Sequence, residues 1–151
     1  MADTIRHQIL SALISHLEGE TWISSAGISV NPGKTRYRPE ELPAISVFAR
    51  NEESEISEYG TQVSSLNIEI NYAGVITRGA DDEKENTIDQ IETVRGQIVQ
   101  SLVAASLDDL ADPPIYTGGD IEYPSAEDMA FIASVNGRID YEADARDPYT
   151  Q

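Results

Sequence analysis

Residues 129–142 of the chain read MAFIASVNGRIDYE, which is the clearest strand pattern in the sequence. Apolar side chains occupy every second position, and from residue 134 onwards polar or charged side chains alternate with them. Such a period of two is typical of a β-strand that has one buried face and one face in water. Gly137 is the single gap in the apolar series. A strand of this kind favours an antiparallel sheet that is covered on one side only.

Two further strands are predicted on the same grounds. Residues 66–76 alternate apolar and polar side chains, and residues 43–50 place Ile45 and Val47 on one face with Ser46 opposite. Residues 27–30 are expected to form a short additional strand. The sheet is therefore assembled from segments that are far apart in the chain.

The polar stretches between these strands are expected to be irregular. The connection 18–42 is rich in Gly, Ser, Pro and charged residues, and residues 51–55, NEESE, are expected to form an acidic loop that projects from the body. Residues 117–119, Thr-Gly-Gly, are expected to return the chain to the final strand.

Two segments have the period of amphipathic helices, 3–17 and 82–107. Their apolar stripes consist of Ile5, Ile9, Leu13 and Leu17 in the first, and of Ile88, Ile91, Ile98, Leu102 and Ala105 in the second. Asp3 or Thr4 is suited to cap the first helix and Gly19 to end it, while Asp81 or Asp82 is suited to cap the second.

The order of elements is helix, strand, strand, helix, strand. This order predicts an α+β fold, an antiparallel or mixed β-sheet with two helices packed on one face. Residues 1–143 are expected to form a single domain, and residues 144–151 a flexible C-terminal tail.

The charge is strongly negative and unevenly distributed. The net charge is −17, with 27 acidic residues against 10 lysines and arginines. Residues 1–50 are neutral, so the excess lies entirely beyond residue 50. A surface of this sign repels phosphate, which disfavours tight binding of a nucleic-acid duplex.

The sequence offers no motif of a known catalytic chemistry. The chain has no cysteine, which excludes thiolate catalysis and disulfides, and no serine lies in a Gly-x-Ser-x-Gly elbow. Gly33-Lys34-Thr35 resembles the end of a phosphate-binding loop but lacks the required upstream glycine. The two histidines, His7 and His16, fall on opposite faces of the first helix. We expect no catalytic residue, no cofactor and no metal site.

The one basic cluster consists of Lys34, Arg36 and Arg38, which alternate with Thr35 and Tyr37. An extended backbone would place the three charges on one side. They are interpreted either as charges that discourage strand pairing at an exposed edge or as a contact for an acidic surface on a neighbouring copy. The candidate acidic residues of such a subunit interface are Glu52, Glu53 and Glu55. An interface of this kind is head-to-tail, and it closes into a ring when the rotation permits.

The order and spacing of several segments resemble one family. These segments are the N-terminal helix, the strand LPAISVF at 42–48, the strand SLNIEI at 65–70, the helix 82–107 and the closing strand at 130–142. Together they resemble the tail terminator proteins of long-tailed phages, the protein U type of phage lambda. The connection 18–42 is longer than in that type, and the C-terminal tail is additional, so no individual interface residue is carried over.

The resemblance implies a structural protein of the virion, assembled in the host cytoplasm and located at the head-proximal end of the tail. Such a subunit joins a homo-hexameric ring that caps the tail tube protein, ends tube polymerisation and presents a surface to the head–tail joining protein. DNA would pass through the lumen without specific binding, and no membrane is involved. Two alternatives remain, a neck or head–tail joining protein and a small acidic bacterial binding domain.

Overall fold

The computed structural model describes residues 3–57, 59–76, 83–124 and 130–144, together with 146, 147, 149 and 151. In chain order the elements are helices α1 (Ile5–Gly19) and α2 (Thr21–Ser24), strands β1 (Ser29–Pro32), β2 (Ala44–Ile56) and β3 (Thr61–Val75), helix α3 (Glu83–Val103), and strands β4 (Ile115–Glu122) and β5 (Ala130–Asp144). Short 3₁₀ turns occur at Pro39–Glu41 and Leu107–Asp109. Within the described ranges, no helix combines the length and the apolar character needed to cross a bilayer.

The strands form one five-stranded sheet in the order β1-β2-β3-β5-β4. Strand β1 is parallel to β2, and all other neighbours are antiparallel. The sheet is therefore mixed, and the predicted α+β class is confirmed. Residues 130–142 lie in β5, which pairs with β3 along its whole length and with β4 on its other side.

One face of the sheet carries the hydrophobic core. The stripe of α1 is fully buried as predicted, and Thr4 Oγ1 caps this helix by accepting from the amide of His7 at 3.1 Å. The helical side of the core is formed by Ile5, Ile9, Leu13, Leu17, Ile91, Ile98 and Leu102, and the sheet side includes Ile45, Val47, Leu66, Ile68, Ile70, Phe131, Val135 and Ile139. The opposite face of the sheet, called here the outer face, is packed by neither helix.

Gly137 interrupts the apolar series because helix α3 passes directly over it. A Cβ at this position would lie 2.9 Å from Leu102 Cδ2 and 3.2 Å from the carbonyl oxygen of Ile115. The absent side chain therefore lets α3 approach the middle of β5, and a glycine in a strand interior marks such a close approach.

The predicted projecting loop at 51–55 is wrong. These residues continue β2, where Glu52, Glu53 and Glu55 pair with Leu66, Ser65 and Val63 of β3. The register shifts once between Ala49 and Glu52, which indicates a bulge. Acidic residues disfavour strands in isolation, but pairing with a long neighbouring strand overrides that local preference. Strand β3 accordingly begins at Thr61, five residues before its predicted start.

The predicted turn at 117–119 is also wrong, because these residues lie inside β4. Gly118 has a φ of +124°, at the point where the register with β5 shifts. A Cβ on Gly119 would overlap the carbonyl oxygen of Ser134 in β5. The two glycines are therefore required by a bulged edge strand, and a turn is not needed to explain them.

Helix α3 ends earlier than predicted, at Val103. The following residues, Leu107, Asp108 and Asp109, all have positive φ and reverse the chain, while the Leu107 side chain enters the core. Ile88 was expected in the apolar stripe, but its side chain is 51% exposed. The capping candidates Asp81 and Asp82 lie outside the described residues.

At the C-terminus, Gln151 Nε2 donates to the carbonyl oxygens of Leu110 and Glu142, at 2.5 and 3.3 Å. The division into a domain at 1–143 and a flexible tail at 144–151 stays a prediction.

Candidate subunit interface

Residues 33–38, called here the basic segment, leave the end of β1 and cross the outer face beside β2. The Ser46 hydroxyl donates to the carbonyl oxygen of Lys34 at 2.6 Å, and the Tyr37 hydroxyl bonds with Ser46 and with the carbonyl oxygen of Ile45. Ser46 is 1% exposed, so these bonds hold the segment firmly against the sheet. Tyr37 faces inward, and the side chains of Lys34, Arg36 and Arg38 are left exposed.

The three basic side chains differ in what they contact. Lys34 Nζ lies 3.1 Å from Glu41 Oε1 and 4.9 Å from the centre of the Tyr37 ring. The Arg38 amide donates to Glu41 Oε2 at 2.7 Å, and this bond, with the help of Lys34, lowers the pKa of Glu41. Arg36 makes no hydrogen bond or ion pair with any of the described residues. It is the cation most available to a partner.

The three candidate acidic residues do not share one surface. Glu52 lies on the helical side of the sheet, where it accepts a hydrogen bond from the Tyr141 hydroxyl and lies 3.9 Å from Arg6 Nη1. Burial, and secondly this hydrogen bond, raises the pKa of Tyr141 to about 12. Glu52 is therefore occupied within the subunit.

Glu53 and Glu55 lie on the outer face and are exposed. Across β3 they align with Asp140 and Glu142 of β5, through the pairs Glu53–Ser65–Asp140 and Glu55–Val63–Glu142. Arg138 Nε lies 3.1 Å from Asp140 Oδ1 and offsets that charge, so the negative charge of the outer face at this end of the sheet comes mainly from Glu53, Glu55 and Glu142. The separation in sequence concealed this cluster, since Asp140 is 87 residues from Glu53.

The basic segment and the acidic end of β2 cannot reach each other within one subunit. Ser46 anchors the basic segment, and Glu53 lies seven residues further along the same strand. One of these residues belongs to the bulge, so the separation is six positions in the register of β3, or roughly 20 Å at about 3.3 Å per residue. Arg36 and Glu53 therefore remain available to other molecules.

Three exposed apolar side chains at the β2–β3 hairpin were not predicted from the sequence. Ile56, Tyr59 and Val63 have 71%, 92% and 43% of their surfaces exposed. In the sequence these are isolated apolar residues among polar ones. Such residues are common on protein surfaces, so the sequence did not single them out. By the strand register, Ile56 lies on the helical side of the sheet and Val63 on the outer face, so the two do not form one surface.

The histidines lie apart, as the helical spacing indicates. His16 Nε2 is 2.8 Å from the carbonyl oxygen of Ser101 and 3.1 Å from Glu20 Oε1, whereas His7 Nδ1 is 3.8 Å from Asp3 Oδ1. His16 therefore connects α1 to the end of α3, which is a structural role.

Comparison with known proteins adds no relative. No protein-family model matches the sequence, and no curated protein is significantly similar to it.

Proposed function

We propose that this protein is a phage structural protein whose copies form a ring that caps the tail tube, ends tube polymerisation and provides the surface to which the head is joined. The observation that carries the proposal is the separation of opposite charges on one rigid sheet. Arg36 of the basic segment has no acidic partner among the described residues, and exposed carboxylates lie elsewhere on the outer face, so the two kinds of charge can meet when one copy contacts another.

A head-to-tail contact between copies satisfies both surfaces. The basic segment of one copy meets an acidic surface of the next, and repetition of this contact closes a ring. The acidic surfaces that stay uncovered repel the phosphates of DNA, which suits a lumen through which a genome passes without binding. The resemblance of the segment order to tail terminator proteins supports the same assignment.

The test is the length of tail tubes assembled in the presence of the protein. Tail tube protein from the same phage is allowed to polymerise alone and with the purified chain, and tube lengths and ends are measured by negative-stain electron microscopy. We expect shorter tubes, each bearing a ring at one end. The variant Lys34→Glu/Arg36→Glu/Arg38→Glu is expected to lose this effect while circular dichroism shows an unchanged fold.

Arg146→Glu is the matched control, since Arg146 is also exposed but lies away from the basic segment. It should cap tubes as the wild type does. Rings that leave the tube lengths unchanged would contradict capping and would favour the neck-protein alternative. A protein that forms no assembly and binds no tube would contradict the proposal as a whole.

A further inference from the structure

The sheet has two uncovered edges, and they lie on opposite sides of the subunit. Strand β1 is outermost on one side and β4 on the other, and within the described ranges no further strand pairs with either. Four strand spacings of about 4.8 Å place these edges roughly 19 Å apart. A ring requires each subunit to use two different surfaces, so the two edges fit that requirement geometrically.

Glu53 and Glu55 fit a ring less well as the partners of the basic segment. Strand β1 covers only Ala44 to Val47 of β2, so the acidic end of β2 lies on the same edge of the sheet as the basic segment. One edge that carries cations at one end and acids at the other is complementary to a second copy of itself. Such a contact is two-fold symmetric and yields a closed dimer, which does not extend to a ring.

Strand β4 offers an acidic surface on the correct side. Asp120 and Glu122 are exposed, and both lie on the outer face, opposite Ser134 and Ile132 of β5. No lysine, arginine or proline occurs within Ile115–Glu122. The outer face therefore carries cations at the β1 edge and acids at the β4 edge.

The backbone of β4 is suited to pairing. Beyond the bulge at Thr117, the five residues 118–122 follow the register of β5 regularly, and they are long enough to pair with all four residues of β1. The Ile121 amide donates to Asp120 Oδ1 at 2.8 Å. That bond lies within the edge strand and can be exchanged for one to the carbonyl of a neighbouring strand, which frees the Asp120 carboxylate for a cation.

The strand directions also agree. Strands β1 and β2 are parallel, and the pairs β2–β3, β3–β5 and β5–β4 are all antiparallel. Strand β4 therefore runs opposite to β1. A copy added at the β4 edge in the same orientation would present its β1 antiparallel to β4. The sheet can thus continue from one subunit to the next through an antiparallel strand pair.

We infer that residues 118–122 of one copy pair with β1 of the next copy, and that Asp120 and Glu122 receive its basic segment. This inference rests on the proposed function, because it names the surface through which the proposed ring closes. The apolar side chains Ile115 and Tyr116, 46% and 38% exposed, lie beside the same edge and would be partly covered by the neighbour.

The test compares two variants at one position by sedimentation velocity and electron microscopy. Ile121→Pro removes the edge amide, and proline is tolerated on edge strands, whereas Ile121→Ala removes more of the side chain but keeps the amide. We expect rings from the wild type and from Ile121→Ala, and monomers from Ile121→Pro. Rings in all three proteins would overturn the inference.

A charge exchange tests the same pairing without a proline. Asp120→Lys/Glu122→Lys is expected to lose the ring, and addition of Lys34→Glu/Arg36→Glu/Arg38→Glu in the same chain is expected to restore it. Glu53→Lys/Glu55→Lys is the matched control and should retain the ring. Loss of the ring in this control, with restoration by reversal of the basic segment, would assign the contact to β2 and contradict pairing at β4.

The outcomes separate the two proposals. Wild-type rings that persist after every change at β4 contradict only the edge pairing and leave the proposed function intact. A wild-type protein that is a monomer or a closed dimer contradicts both.

Discussion

Leu102 of α3 lies directly above Gly137 of β5, so closely that a Cβ on Gly137 would be 2.9 Å from Leu102 Cδ2. This contact joins α3 to the middle of β5. Both residues are buried in the core. The approach of α3 to the sheet therefore depends on a missing side chain at one position.

We predict that Gly137→Ala destabilises the protein by about 1–3 kcal/mol, because the added methyl group overpacks the core beneath α3. Gly96→Ala is the matched control. Gly96 is exposed within α3, and a Cβ there would meet nothing within 4 Å. This second change should stabilise the protein by about 1 kcal/mol, the difference in helix propensity. Urea denaturation followed by circular dichroism measures both, and equal effects of the two substitutions would contradict the close packing.

A second prediction concerns the single tryptophan. Trp22 Nε1 donates to Ser101 Oγ at 2.9 Å, which connects α2 to the buried end of α3. Ser101→Ala leaves the partly buried indole N–H without this acceptor, at a cost of about 1–3 kcal/mol. Trp22 fluorescence should report the altered environment, and chemical denaturation the loss of stability.

Ser106→Ala provides the control for that change. Ser106 is exposed, and its side chain makes no capping hydrogen bond to the turn that follows. Its replacement should leave the fluorescence and the unfolding midpoint at their wild-type values. If Ser101→Ala also left both unchanged, the hydrogen bond would not contribute to stability.

The fold class and the core followed from the sequence because they depend on periodicity. The alternation in β3 and β5 and the stripe of α1 are properties of contiguous residues, and burial of one face determines them. The acidic end of β2 and the glycines of β4 were mispredicted for a different reason. Their conformations depend on partners distant in the chain, Val63 to Leu66 for the former and Ser134 for the latter.

The candidate interface was only partly predictable for the same reason. The alternation of Lys34, Arg36 and Arg38 around Tyr37 is local, and the exposure of all three follows from it. Whether Glu52 shares a surface with Glu53 depends on the face each presents after the bulge in β2, which no local pattern specifies. The opposition of the β1 and β4 edges depends on the strand order, which only the folded chain shows.

A third prediction is a loss of stability at alkaline pH. The pKa of Tyr141 is raised to about 12 in the folded protein, against an ordinary value of 10.0. The folded state therefore holds this proton more tightly than the unfolded state does. The resulting stabilisation is fully present below pH 10 and is lost as the pH rises towards 12. Tyr72, whose pKa is raised by burial, contributes in the same direction.

Tyr141→Phe should flatten the dependence of unfolding free energy on pH in this range. The measurement is a set of urea denaturation curves between about pH 9 and about pH 12, since the slope with pH reports the difference in bound protons. Tyr59→Phe, which changes a side chain that is 92% exposed, is the control and should keep the wild-type profile. An unaltered profile for Tyr141→Phe would show that this hydroxyl is not coupled to folding.

The mass of the assembled species decides whether copies of this chain close into a ring. Sedimentation velocity of the wild-type protein over a range of concentrations, with and without divalent cations to offset the net charge of −17, gives that mass. We predict one discrete species of six subunits that appears as a closed ring by negative-stain microscopy. A monomer under every condition, or a species that stops at two subunits, would contradict the claim.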